Sequence, residues 1–423
     1  MIKPIQPHPV AFCHCIVPAE IFSPHFSKPQ AAFIEEMLCG LSASQDCKLS
    51  AISRALDESI TLKKTEERLS HHLAAPQLGP TLQAQIVAHA ARRIHAANLL
   101  VVDPTDIRKP YAEKMPHLAT VRDGSTGELV TGYWACVALA CEPARRRVLP
   151  LLPQLWSAEA PGDVSENAQL LGIIDTIAAA TAKRGIYVVD RGGDRMELYK
   201  PLLDRGWRFI IRLRGDRHLV VRGNAREALD IARGVRMQYA ETVVRATQGG
   251  EKKLHLEYGW RRVRLPGRRG VELTLVVVRG FGEQPLLLLT NVAVKNSRSS
   301  VWAVVRGYLT RWLVEETIRF IKQSDRLEDL RVLDYDRRRN LTALVLAAAY
   351  FAAVWLGESL TLAVLASRVT KVAKRFFGVP EFHYYALADG LRVLLSRLGR
   401  KCALCRPTSP PDSTAQLHLF NTA

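Results

Sequence analysis

Tyr308, Arg311, Glu315 and Lys322 are the residues whose types and spacing best suit chemistry on a phosphate. Arg311, Glu315 and Lys322 stand three, seven and fourteen positions after Tyr308. On one α-helix, at about 100° per residue, the four fall within an arc of roughly 60°. Leu309, Leu313, Val314, Phe320 and Ile321 take the other side of the wheel, where a core-facing stripe belongs. The polar face therefore offers a phenol, a guanidinium, a carboxylate and an ammonium, with Arg319 beside them. A carboxylate flanked by cations suits a metal ion held against a nucleic-acid phosphate, the cations neutralising what the metal does not. The plain alternative is a solvated face with i to i+4 ion pairs.

Two more carboxylates close short apolar runs, Leu99-Leu100-Val101-Val102-Asp103 and Ile186-Tyr187-Val188-Val189-Asp190. Such runs read as buried strands. With Glu315, Asp103 and Asp190 form a set of three hard oxygen donors from separate elements. Mg²⁺ prefers such donors, and two ions about 4 Å apart can activate a water and stabilise a leaving oxygen. An Asp at a strand end also serves simply to form a turn. The competing carboxylates are Asp106, Asp194 and Glu316. Glu316 lies about 100° around the wheel from Glu315. Asp106 follows Pro104-Thr105 and is expected beyond its strand, so Asp103 is preferred to it, while Asp194 stays open.

Apolar periodicity supplies the elements that must position these groups. Helices are expected over Ala31–Leu41, Leu49–Leu56 and Leu62–Leu73, where a small DNA-reading module and a helical packing domain would look alike. Strands follow at Leu99–Asp103, Leu129–Cys141 and Arg147–Leu155, then a helix over Ser165–Arg184. A strand ending at Asp190, a short helix Met196–Leu203 and a strand Trp207–Leu213 come next. Three strands, helix, strand, helix, strand and a final helix is the order of an α/β, ribonuclease-H-like core. Strand-like runs from 215 to 298, separated by Gly-rich turns, read as a β-rich insertion. The expected division is a helical DNA-binding domain over 1–95, a catalytic core over 96–214 and 299–340, the insertion over 215–298, a helical C-terminal region over 341–400 and a flexible tail over 401–423.

Lys plus Arg number 59 against 41 for Asp plus Glu, a formal charge of +18. That excess fits a polyanionic partner. The cations cluster at 145–147, 212–217, 261–269 and 337–339, which suggests several contact patches. The eight cysteines are scattered, without the density of a secreted disulfide scaffold, and Cys402 and Cys405 have no second ligand pair to make a zinc site. The opening MIKPIQPHPVAF lacks the apolar core of a signal peptide. Leu341–Leu356 is apolar but shorter than the roughly 20 residues of a membrane span, so a buried helix is expected. A cytoplasmic, nucleoid-associated protein with no membrane partner follows as the expectation.

The segments VVDPTDIRKPYAEKM, VVDRGGDR and YLTRWLVEETIRFIKQ resemble the catalytic motifs of the DDE transposases of bacterial insertion sequences, specifically the insertion-sequence-four group. That group carries a Tyr-(2)-Arg-(3)-Glu-(6)-Lys signature, which Tyr308, Arg311, Glu315 and Lys322 match in type and spacing. The resemblance covers about residues 30 to 395. It implies that Asp103, Asp190 and Glu315 hold two Mg²⁺ ions, with Mn²⁺ able to substitute. Arg311 and Lys322 would hold phosphates, and Tyr308 would contact terminal DNA near the cut, while Arg319 is a candidate DNA contact from its place beside them on the wheel. Enzymes of this group also hold a flipped base on an aromatic ring. Of Trp260, Trp302 and Trp312, Trp260 sits among basic residues and best suits DNA contact, core packing being the alternative. The implied partners are double-stranded DNA, as terminal inverted repeats and target, and a second copy of the chain. The implied activity is cut-and-paste transposition. Its rivals are a nuclease without strand transfer and a non-catalytic DNA-binding derivative.

Overall fold

A computed structural model describes residues 24–124, 126–142, 147–247, 250–268, 270–311, 326–354, 389–390 and 392–393. Among these residues four helices come first, α1 (Lys28–Ser44), α2 (Leu49–Leu56), α3 (Leu62–Leu73) and α4 (Leu78–Ala91). Ser27 and Gln30 close a capping box on α1, and the Thr61 hydroxyl accepts from the Lys64 N–H on α3, so side chains satisfy these exposed starts. Sequence periodicity does not single out α4, because Pro76 and Gly79-Pro80 read as turn signals. Pro80 falls in the first turn of α4, where a missing N–H costs nothing.

The remaining described chain builds a mixed α/β structure around one large sheet. Its strands are β1 (Leu99–Arg108), β2 (Ala119–Arg122), β3 (Leu129–Glu142), β4 (Arg147–Trp156), β5 (Ile186–Val189) and β6 (Phe209–Arg212). The sheet continues through β9 (Tyr239–Thr247), β10 (Gly250–Val263), β11 (Leu273–Arg279) and β12 (Leu286–Thr290), while β7 (His218–Val221) and β8 (Asn224–Glu227) form a separate hairpin. The spatial order is β2-β3-β1-β5-β6-β12-β11-β10-β9, with β4 paired to β3. The pairs β1–β5 and β5–β6 are parallel, and the rest are antiparallel.

The long strands between 215 and 298 thus extend the core sheet through the β6–β12 pair. All five residues of β12, Leu-Leu-Leu-Leu-Thr, are buried. A strand buried along its whole length lies between neighbours and under cover on both faces, and β6, β11 and the packed helices provide this. Helices α5 (Glu166–Ala180), α6 (Met196–Asp204), α7 (Ala228–Arg233), α8 (Arg298–Leu309) and α9 (Tyr335–Val354) complete the described fold. The apolar run from Leu341 lies within α9, which packs on β4, α4 and α1. Among the described residues, no helix is long and apolar enough to cross a membrane. The expected C-terminal elements beyond Val354, and the tail, lie outside the described residues apart from 389–390 and 392–393.

Candidate active site

The parallel pairing of β1 with β5 brings the two Val-Val-Asp runs together. Leu99 pairs with Ile186, Leu100 with Tyr187 and Val101 with Val188. Carried two residues further, the same register sets Asp103 level with Asp190, on adjacent strands whose spacing is about 4.8 Å. Partners across a sheet point to the same face, so both carboxylates share a face, Asp190 just past the C-terminal end of β5 and Asp103 midway along β1. Both are partly exposed. Asp190 also caps a short 3₁₀ turn, Arg191–Gly193, its Oδ1 accepting from the Gly192 N–H at 2.8 Å. Gly193 is required there, since a β-carbon would stand 2.5 Å from Val189 Cγ1.

Helix α8 covers that face. A β-carbon on Gly307 would lie 3.1 Å from Ile210 Cδ1 and 3.4 Å from Leu99 Cδ2, so the helix packs closely on the rows that lead to Asp103 and Asp190. At its end Arg311 Nη1 meets Asp103 Oδ1 at 3.2 Å, and the Arg311 guanidinium lies 5.8 Å from the Tyr308 ring centroid. Both members of the ion pair are mostly shielded, at 11% and 16% side-chain exposure, where attraction is less screened than at an open surface. Burial pushes the Cys136 thiol up, and the Asp103 carboxylate adds to the effect.

Residues 96–351 match the model of the transposase DDE domain. The chain belongs to that family. No curated protein matches it. A solved structure, the piggyBac transposase synaptic complex with hairpin DNA, is similar at 11% identity and a TM-score of 0.44, covering 92% of this chain and 80% of that one.

Within the DDE domain the competing aspartates separate by environment. Strand β1 runs on past Pro104 to Arg108, so Asp106 lies inside the strand, contrary to the expectation that it falls beyond it. Three positions from Asp103, it faces the other side of the sheet. It is 4% exposed, and its Oδ1 accepts from the Gly124 N–H at 3.2 Å. Asp194 is buried and fully engaged. It accepts from Arg217 Nε at 2.6 Å, the Arg214 N–H at 2.7 Å and Tyr199 Oη at 3.2 Å. Both serve the fold, which leaves Asp103 and Asp190 as the pair that reaches solvent.

The structure corrects the picture of Tyr308 as an outward-facing phenol. It is 3% exposed, and its hydroxyl is buried without a hydrogen-bond partner among the described residues. Tyr308 does share a face with Arg311, as the wheel has it, but that face turns inward toward Asp103. Trp260 lies half-buried on β10 under the Arg262 guanidinium, 5.4 Å from its ring centroid, and Trp302 packs on Tyr258 at 5.5 Å. Glu315, Glu316, Arg319, Lys322 and Trp312 lie outside the described residues.

Sequence reading passed over Arg212 as an individual residue. Val189 pairs with Ile211, so the next residues along, Asp190 and Arg212, stand side by side. Arg212 is partly exposed, and its strand position was the signal that only the register could supply. Among the described residues no group of three His, Cys, Asp or Glu stands together as a metal cluster. The donor chemistry of Asp103 and Asp190 nevertheless fits a hard divalent cation, both being carboxylates level on one face.

Proposed function

We propose that this chain is a DNA transposase of the insertion-sequence-four group, which cuts the terminal inverted repeats of a bacterial element and joins them to target DNA. The observation that carries the reading is the level placement of Asp103 and Asp190 on one sheet face, inside a domain of the DDE family. The strand run β4-β3-β1-β5-β6, an antiparallel set followed by two parallel strands, supports a ribonuclease-H-like core. The spacing of Tyr308, Arg311, Glu315 and Lys322 supports the group.

Asp103 and Asp190, with Glu315, would hold Mg²⁺, which when bound activates water and neutralises charge on a leaving oxygen. The chain's own cations orient the phosphodiester. Arg311 is fixed between Asp103 and the Tyr308 ring, so its position is set before DNA arrives. Arg212, beside Asp190, offers a guanidinium to a phosphate seated over the pair, and Lys322 and Arg319 add two more charges. Tyr308 acts from beneath by supporting Arg311. Two element ends require two such sites, which supports a homodimer on DNA. Purified protein, a duplex taken from the DNA flanking the gene and a supercoiled plasmid test the reading. Wild type gives Mg²⁺-dependent cuts and joined product, while Asp190→Asn or Glu315→Gln binds the duplex but does not cut. Cutting without joined product makes the chain a nuclease only, and normal cutting by either variant removes that residue from the metal set.

A further inference from the structure

Just past the end of β10 the chain meets the β7–β8 hairpin through a two-way backbone pair, the Val220 N–H donating to the Arg264 carbonyl at 2.8 Å and the Arg264 N–H to the Val220 carbonyl at 3.0 Å. The junction encloses a cleft of about 350 Å³ lined by four arginines, Arg222, Arg261, Arg262 and Arg264, and one carboxylate, Glu272. Glu272 is taken by Arg262, at 3.3 Å. Arg262 also donates to Thr274 Oγ1 and the Val294 carbonyl and lies over Trp260, so it is a fixed part of the wall. Arg222, Arg261 and Arg264 have no acidic partner among the described residues. Arg261 alternates to the other face of the strand, its Nη1 beside Gly234, so the two unneutralised guanidiniums of Arg222 and Arg264 border the concavity, and an anion there would relieve their repulsion.

The turn that carries Arg222 points the same way. Arg222 and Gly223 form the two-residue hairpin turn with φ of 51° and 86°. Such turns favour Asn or Gly at the first position, because a longer side chain on a left-handed backbone costs about 1 kcal/mol. Arginine there sacrifices turn stability and sets a guanidinium at the rim of the cleft.

The cleft also lies at a useful distance from Asp103 and Asp190. Pairing carried across the sheet, Asp190 to Arg212, Leu288, Val276 and Trp260, keeps one row on one face. Four strand spacings of about 4.8 Å put Trp260 about 20 Å from Asp190. Arg264 follows on that same face, four residues or about 13 Å further along the chain, which puts it about 24 Å from Asp190. A duplex repeats every 34 Å or so, which places the cleft within one helical turn of the carboxylates.

We infer that this arginine cleft is a second DNA contact, gripping the sugar–phosphate backbone of the duplex that is cut, less than one turn from the cut. Naming DNA as the anion rests on the proposed transposase function. The test uses the full chain carrying Arg222→Asn and Arg264→Gln together. Arg222→Asn suits the turn better than the native residue, and an unchanged circular dichroism melt verifies the fold. Binding of labelled 30-base-pair duplexes, one from the gene's flanks and one of arbitrary sequence, is measured across salt concentrations. Each lost phosphate contact lowers the slope of log affinity against log salt by about 0.9, so the double variant should lose roughly 1 to 2 in slope on both duplexes. Near 0.1 M salt that is a weakening of roughly tenfold or more. An unchanged slope in the variant, with wild type binding and cutting normally, overturns the cleft alone. A loss confined to the flank-derived duplex also overturns it, since phosphate contact is blind to sequence. Wild type that binds neither duplex overturns both this inference and the transposase reading.

Discussion

Asp190 and Asp194 stand four residues apart in one short motif, and substituting each by Asn should give opposite results. Asp194 is 1% exposed, and its carboxylate compensates Arg217, whose side chain is 16% exposed, while also accepting from Tyr199 and the Arg214 backbone. Removing one member of a buried, hydrogen-bonded ion pair leaves the other uncompensated and costs about 3–5 kcal/mol. For a domain of this size that lowers the melting temperature by roughly 6–15 °C. Asp190 is partly exposed, and its one described hydrogen bond, from the Gly192 N–H, is available to an Asn oxygen as well. Neutralising it also removes repulsion from Asp103 on the next strand. Asp190→Asn should therefore melt within about 2 °C of wild type, or above it, and lose cleavage, its cost staying below about 1 kcal/mol. Differential scanning calorimetry and cleavage of the flank-derived duplex, run on both variants, check this. An Asp194→Asn protein that melts like wild type and fails to cut, beside an Asp190→Asn protein that cuts normally, would reverse the two assignments.

Lys109 sets a pH dependence of stability. It is 6% exposed and donates to the Glu328 and Leu330 carbonyls, and burial lowers it from 10.5 to about 8. Between those values the unfolded chain keeps a proton that the folded chain has released, so stability rises with pH. From pH 7 to 9.5 the gain is about 2 kcal/mol in wild type and is absent in Lys109→Met. Parallel pH profiles in urea unfolding would remove Lys109 as the source. Metal binding gives a further readout without catalysis. Near 10 mM Mg²⁺ should raise the melting temperature of wild type, by about 1 kcal/mol if affinity is millimolar, and leave Asp103→Asn unmoved. Equal shifts in both proteins would argue that Asp103 holds no ion.

Sequence pattern alone exposed the strands that matter here because they are short, apolar and bounded by polar residues. Leu129–Cys141 and Arg147–Leu155 fall within a residue of β3 and β4, and Ile186–Asp190 within one of β5. Less was legible where alternation is weak or a side chain ignores it. The β7–β8 hairpin turns on Arg222-Gly223 in place of a common turn pair, and β8 is exposed at all four residues, so no apolar signal marks it. Tyr308 was misplaced because a polar helix face reads as outward-looking, whereas here it faces Asp103 and buries the phenol beneath Arg311. Asp106 was placed beyond its strand because proline reads as a breaker. Pro104 occurs within β1 all the same, lying opposite Cys136 on β3.

The placement of Asp103 beside Asp190 depends on something no single segment encodes. The two stand 87 positions apart in sequence, and 87 is also the offset between paired residues of β1 and β5. Everything between them, three strands and a helix, can change length without disturbing that match, because the register is set where the apolar runs lock together. A slip of one residue would turn Asp190 to the opposite face, and it would also turn Val188 away from the layer it shares with Val101. Hydrophobic burial of Tyr187, Val188 and Val189, each at 2% exposure or less, therefore enforces the geometry of the carboxylates. Polar substitution at Val188 should accordingly disturb cleavage as well as stability, although its side chain never meets DNA.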